Sequence, residues 1–320
     1  MNDILITTLD DFRTRKPNIQ EVEQLISKAR DDKQFLNRLC SIAFDVKTSF
    51  LGEEVIEEAA FNAVIPCTLD PLCAYCPYWR SSKQKSMSVP TVLDNVKYLM
   101  ENTSVRQLHL SGGSSPQPGH SGLVEMVSAI RDAGYHDIDI VVNCGSCFTD
   151  EELAQLKKLR VLRVFSVFET LDEALFQAVK AGDDLNAKKR FAQRVADAGM
   201  QVGTGIMAGL GAWEDRPHAY AAALDYLSKM DNLACLYISK FRHAQNIQLN
   251  EHPECPLEEA LALVACARLV LPSLHIRAAA GWRKSEGEKA RKAGAGNIQI
   301  GPSFSERADA GCWKEDPDRE

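Results

Sequence analysis

Apolar and charged positions follow two different periods along this chain. Between residues 17 and 48 the period is helical. Ile19, Val22, Leu25, Ile26 and Ala29 form one stripe, Phe35, Leu36, Leu39 and Ile42 begin a second, and charged residues fill the opposite face. From about residue 61, short β-like runs take turns with helical stretches. The runs are Phe61–Ile65, Gln107–Leu110, Ile138–Val142, Val161–Phe168, Val202–Met207, Leu236–Phe241, His275–Ala279 and Asn297–Ile300. The helical stretches lie near 90–101, 121–133, 150–158, 171–180, 186–198, 217–230, 256–270 and 284–292, several with a recognisable start at Thr149 or Pro256. Eight strand-then-helix units imply a parallel sheet with helical crossovers, and eight is the number that closes a barrel. The expected fold is therefore α/β: a (β/α)8 TIM-type barrel over 56–305, preceded by an N-terminal helical layer at 1–55. A tail at 306–320, charged and Pro-containing from Trp313 onward, is expected to be flexible.

Composition narrows the class. A chain of 320 residues with 45% hydrophobic content can bury the core of one such barrel. A net charge of −7 gives no basic stripe, so no nucleic-acid partner is expected. The apolar runs are short and broken by charge, so no membrane span is expected. The first residues lack the basic start and apolar core of a signal peptide, and a cytoplasmic location is expected. Ten cysteines in such a chain do not read as a disulfide framework.

Barrel enzymes keep their chemistry at the C-terminal ends of the strands. After the first run stand Cys67, Cys73 and Cys76, a C-x5-C-x2-C pattern. Three thiolates in one loop at a barrel mouth suit a [4Fe–4S] cluster, one iron each, leaving the fourth iron open to a small molecule. Zinc is the rival, but the next downstream histidine, His109, is poorly spaced for a zinc knuckle. Three buried core cysteines are the plainest alternative, although this spacing arises by chance only about 0.01 times per such chain.

The loop resembles the signature of the radical S-adenosylmethionine (SAM) superfamily, usually C-x3-C-x2-C with an aromatic residue before the last cysteine. Tyr75 holds that aromatic place, which in the family lies near the SAM adenine. Two extra residues separate the first cysteines, and Asp70-Pro71 is a plausible turn to absorb them. The resemblance continues at Ser111-Gly112-Gly113, similar to the glycine-rich stretch that binds the SAM amino group. By itself such a pair is an ordinary turn. Phe168 to Phe176 resembles a stretch in which an acid contacts the SAM ribose, here Glu169. The competing reading is that Glu169 and Thr170 cap the next helix. A basic residue on the following helix pairs with the SAM carboxylate in the family. Lys188 matches that position and Arg190 stands close, either of them otherwise part of a solvated basic face. Ile206 and Gly209 match adenine-pocket positions, while Ala212 replaces the family's usual acid.

The stretch from Leu271 to Arg283 is similar to one in biotin synthase that ends in arginine. It makes Arg277 and Arg283 candidate substrate anchors, with Trp282 displacing the second by one place. Both also read as ordinary surface or ion-paired arginines. Asn143, at the end of the third strand, is a further candidate substrate contact. Cys144 and Cys147 are read as a cavity-lining residue and a helix-entry residue, with a second metal site or redox pair as the alternative. Tyr78, Trp79, Trp213 and Trp282 are candidate cavity walls.

The branch implied is that of biotin synthase and HydE-type maturases, and the C-x5-C-x2-C spacing resembles the HmdB group, implicated in building the iron–guanylylpyridinol cofactor of [Fe]-hydrogenase. The resemblance implies reductive SAM cleavage to a 5′-deoxyadenosyl radical that abstracts hydrogen from a small-molecule substrate. An electron donor such as ferredoxin or flavodoxin is then needed, and no side chain need act as acid or base. A metal-binding barrel without SAM, and a scaffold that delivers a cluster, are the alternatives from other classes.

Overall fold

The computed structural model describes residues 9–52, 56–80, 84–296, 298–307 and 311–313. Eight parallel strands run in chain order as β1 Ile56–Phe61, β2 Gln107–Ser111, β3 Asp139–Asn143, β4 Val161–Phe165, β5 Gln201–Ala208, β6 Leu233–Lys240, β7 His275–Ala278 and β8 Ile298–Arg307. The sheet order is β8-β1-β2-β3-β4-β5-β6-β7, every neighbouring pair parallel. The sheet curls until β7 meets the segment entering β8. There, among the described residues, one backbone bond from the Gly296 N–H to the Ile276 carbonyl bridges the edges. The short strands Gln84–Lys85 and Gly311–Trp313 add antiparallel to β8.

Helices α3 Val89–Asn102, α4 Ser121–Asp132, α5 Asp150–Lys158, α6 Glu173–Val179, α7 Leu185–Asp197, α8 Arg216–Leu227, α9 Leu257–Val270 and α10 Lys284–Lys292 cover the outside. Helices α1 Ile19–Asp31 and α2 Lys33–Leu51 form the N-terminal layer. Asn18 caps α1 in a capping box with Glu21, and Asp32 caps α2 through the Phe35 N–H. Their buried stripes, Val22–Leu25–Ile26–Ala29 and Leu36–Leu39–Ile42–Ala43, share one hydrophobic core with α8 and α9. Arg268, fully buried on α9, donates to the carbonyls of Gly294, Pro272 and Leu274, each at 2.8 Å. It thereby ties the end of α9 to the turns flanking β7.

Several strand boundaries differ from the sequence expectation: the sixth strand starts at Leu233 rather than Leu236, and the eighth runs on to Arg307 rather than stopping at Ile300. The first strand is Ile56–Phe61, not Phe61–Ile65. Glu57 and Glu58 made that stretch look polar, yet Glu58 is fully buried inside the barrel. The fourth strand ends at Phe165, after which the chain leaves the ladder and rejoins β5 only at a Glu169–Ile206 bridge. Of the expected tail, residues 306–307 belong to β8 and 311–313 to a strand, while 308–310 and 314–320 lie outside the described residues. Among the described residues no helix is long and apolar enough to cross a membrane.

Candidate active site

The C-terminal ends of the strands open into a cavity of about 660 Å³, a size typical of a small-molecule site. One wall is the 62–80 segment after β1. Cys67, Cys73 and Cys76 all face the cavity and are half-buried. Backbone bonds anchor this loop at several points. The Thr68 N–H donates to the Ser114 carbonyl at 2.9 Å, Ala74 to Val179 at 2.8 Å, and Gln248 to the Ala74 carbonyl at 2.8 Å. Arg80 folds back and donates to the carbonyls of Cys73 at 2.8 Å and Cys76 at 3.0 Å. Burial raises the Cys73 thiol and takes Cys76 to about 11, so both keep a proton unless a metal centre replaces it.

The glycine pair packs against this loop. A Cβ on Gly113 would lie 2.2 Å from both the N and the Cα of Cys67. Its N–H donates to the Ile65 carbonyl at 2.9 Å, and that of Gly112 to Asn143 at 3.0 Å. The two glycines therefore set the height of the cysteine loop, with Ser111 and Asn143 lining the cavity beside them.

Beside the cysteine loop stands a charged wall. Glu169 sits at φ +65° on the segment after β4, held by its own N–H to Gly205 and by the Met207 N–H to its carbonyl. Tyr75 donates to Glu169 Oε1 at 3.3 Å, while Oε2 is buried with no hydrogen-bond partner among the described residues. Burial raises the Glu169 carboxyl above its ordinary value, against the pull of Lys180, Tyr75 and Lys188. Lys188, 2% exposed, lies 3.0 Å from Asp183, which also holds Lys180 at 3.3 Å. Burial and the charge of Lys180 lower Lys188. The cap of α6 is Asp172, which accepts from the Leu175 N–H at 2.7 Å. Glu169 and Thr170 are not that cap, so the Glu169 carboxylate is left to the cavity.

The floor is a buried polar knot. Arg277 pairs with Glu58 and donates to the Tyr237 hydroxyl at 3.0 Å, and Gln107 donates to Glu58 Oε2 at 2.9 Å. His109 Nδ1 lies 3.5 Å from Glu58 Oε1. Its Nε2, in a residue that lines the cavity, has no hydrogen-bond partner among the described residues. Burial and nearby Arg163 depress His109 to about 3, so the ring is neutral. With a carboxylate beside Nδ1, the proton belongs there and Nε2 is an acceptor.

Several expected positions need correction. Arg190 is exposed on α7 and does not line the cavity, because Lys188 occupies the inward face of that helix. Arg283 is likewise exposed and precedes α10, its N–H bonded to Glu286 at 2.9 Å. Ile206 points from β5 into the outer core, and its neighbour Met207 lines the cavity instead. Gly209 lies behind the wall, where a Cβ would meet Cys255 at 2.4 Å. Cys144 is fully buried against the Leu110 carbonyl and does not line the cavity. Tyr78, Trp79 and Trp282 do line it, whereas Trp213 is surface-exposed under the Arg30 guanidinium.

Lys180, Lys240 and Glu58 were not singled out in the sequence, and His109 entered it only as a poorly spaced zinc ligand. Lys240, 6% exposed, pairs with Glu286 at 2.7 Å beside Trp282 on the cavity rim. Only a charged residue inside an apolar run marks Lys240 and Glu58 in the sequence, and Lys180 carries no such signal.

These residues suit a cluster with SAM. Among the described residues no three His, Cys, Asp or Glu side chains are grouped to hold a single metal ion. Three cysteines in one wall of a cavity suit a cluster in which each takes a different iron. The free oxygen of Glu169 and the inward ammonium of Lys188 add an acceptor for hydroxyl groups and a partner for a carboxylate.

Comparison with known proteins agrees. Residues 66–221 match the Radical SAM superfamily model, a span containing the cysteines, the glycine pair, Glu169 and Lys188. An uncharacterized protein of Methanocaldococcus jannaschii is 26% identical over 213 residues, 66% of this chain and 56% of that protein. The chain therefore matches little more than half the length of that relative. A biotin synthase of Wolinella succinogenes is 25% identical over 68% of this chain and 77% of that protein. The crystal structure of methylornithine synthase superposes with a TM-score of 0.78 at 18% identity, covering 99% of this chain and 92% of that one. The motif, the barrel and these matches agree on residues 66–221, which carry a Radical SAM domain; members of that superfamily are enzymes that use a [4Fe–4S] cluster and SAM.

Proposed function

We propose that Cys67, Cys73 and Cys76 hold the cluster, and that the protein acts on a small molecule bound in the barrel during biosynthesis of a cofactor. The observation that carries this reading is the meeting of the three cysteines, Glu169 and Lys188 around one cavity. The cluster and SAM, when bound, supply a carbon-centred radical able to abstract hydrogen.

The chain's own residues bind, orient and exclude water. Lys188 reaches the carboxylate of the SAM methionine. The ionised Glu169 accepts from the ribose hydroxyls, with Tyr75 holding its other oxygen. Ser111 and the glycine pair leave room for the methionine backbone. Trp79, Trp282 and Phe241 wall the cavity against water. The floor asks for a donor on the substrate to meet His109 Nε2, while Asn143 lies nearer the rim. The charge of Arg277 is already balanced by Glu58, so Arg277 orients the floor without calling for an anion.

The C-x5-C-x2-C spacing supports the iron–guanylylpyridinol pathway of [Fe]-hydrogenase as the setting, since a pyridinol hydroxyl is a donor of the kind His109 accepts. A ferredoxin or flavodoxin serves as the electron source in this reading.

The test is anaerobic. The protein is reconstituted with iron and sulfide, reduced with dithionite and given SAM, and 5′-deoxyadenosine is measured by mass spectrometry with and without a pyridinol. Product from the wild type and none from Cys76→Ala supports the reading. No product at full iron content, in either condition, refutes it. Product that a pyridinol does not stimulate removes the pyridinol setting alone.

A further inference from the structure

Outside the cavity stands a second reactive arrangement. Cys147 Sγ lies 2.6 Å from His120 Nε2. The same imidazole has a backbone hydrogen-bond partner at Cys144, and in the tautomer with its proton on Nδ1, Nε2 accepts the thiol proton. The base is held from several sides. Its backbone N–H donates to Glu152 Oε1 at 2.6 Å, and its ring meets Phe148 edge-on at 4.9 Å. The Gly119 N–H donates to the Cys147 carbonyl at 2.7 Å, closing the two loops on each other. Thiol, base and a group that orients the base are the three parts of an activated nucleophile.

We propose that Cys147 is a reactive thiol with His120 as its general base, forming a site for exchange with small disulfides. Both residues are half-buried, and the adjoining residues 116–119 are exposed, so a small molecule can reach the sulfur. Burial lowers His120 below its ordinary value and raises Cys147 above its own. The resting pair is therefore neutral, and the proton moves only as the electrophile arrives. In the reaction His120 takes the Cys147 proton and Sγ attacks one sulfur of the disulfide. The old S–S bond breaks, a new one forms, and the departing thiolate receives the proton from His120. The small disulfide is the oxidant: Cys147 ends in a mixed disulfide and the departing half leaves as the reduced thiol.

The chain supplies its own control. Cys40 is also half-buried, but burial takes its thiol to about 12 and it has no imidazole beside it. Cys144, Cys235 and Cys266 are fully buried.

The test uses the cluster-reconstituted protein and dipyridyl disulfide under anaerobic conditions. Released thiopyridone is followed by absorbance, and the modified cysteines are mapped by mass spectrometry. Cys147 is expected to react at least about tenfold faster than Cys40, the low end of general-base assistance. His120→Asn is expected to slow Cys147 at least about tenfold and to leave the Cys40 rate unchanged. Equal rates in the wild type, or an unchanged Cys147 rate in H120N, would overturn the proposal. If H120N does not fold, the wild-type pH profile decides. A Cys147 rate nearly flat between about pH 6.5 and 8 supports base assistance, whereas one rising about tenfold per unit means unassisted thiolate and overturns it.

Discussion

Gly113→Ala tests the link between packing and cofactor without touching a ligand. The added Cβ would stand 2.2 Å from Cys67 N and Cα, whereas ordinary contact begins at 3.4 Å. Something must move by about 1 Å, and both obstacles are backbone, so no rotamer change relieves the clash. The bonds at risk are Gly113 to Ile65 and Thr68 to Ser114, both 2.9 Å and both fastening the cysteine loop to the loop after β2. Overpacking costs roughly 1–3 kcal/mol, and a backbone obstacle belongs at the top of that range. The strain falls on two loops outside the barrel strands, so the fold survives and the cysteine loop shifts. The expected result is a folded protein with less than half the wild-type iron and sulfide, and a melting temperature lower by several degrees. Gly112→Ala is the matched control. Its Cβ would meet the Ile65 side chain at 2.5 Å, and its nearest backbone obstacle, Ile65 N, lies at 3.0 Å instead of 2.2 Å. A Gly113→Ala protein with full iron and wild-type melting would refute the reasoning.

Other expectations follow from the same geometry. Lys188→Met should weaken SAM binding by roughly 10- to 100-fold, the worth of one charge-assisted contact; equilibrium dialysis measures it, and an unchanged Kd rejects that role. Glu169→Gln should also weaken SAM binding, yet stabilise the SAM-free protein at neutral pH. Burial raises the Glu169 carboxyl in the fold, so the folded state holds its proton to higher pH than the unfolded state. This group's contribution therefore makes stability fall as pH rises from the ordinary glutamate value through the raised one; thermal melts across that range should show a flatter profile for the variant. Arg268→Met should cost about 3–5 kcal/mol in urea unfolding, because it leaves several buried carbonyls without a donor; a loss under about 1 kcal/mol would show that the turns around β7 find other partners.

Some of this site was legible because it is local. Cys67, Cys73, Cys76 and Tyr75 lie within one short loop, and their spacing carries the chemistry. The glycine pair and Glu169 were legible because each follows a strand and so falls at the catalytic end. Lys188 and Arg190 could not be separated in the sequence, since two residues on a helix point to different faces only once the helix is docked. Arg277 lines the cavity, and nothing local in the sequence marks it as the partner of Glu58, which is 219 positions away in the chain.

Periodicity alone determined the eight strand–helix units, the N-terminal pair of helices and the order in which they close, because apolar spacing follows local backbone geometry. The cysteine spacing alone pointed to a cluster. Tertiary structure decided the rest. It turned Ile206 outward and Met207 inward, left Arg283 at the surface, and buried Glu58 inside the barrel. It also brought His120 to Cys147 and left Nε2 of His109 facing the cavity. Such pairings join residues far apart in the chain through long-range packing, and no local pattern records which distant side chain will balance a buried charge or accept a buried proton.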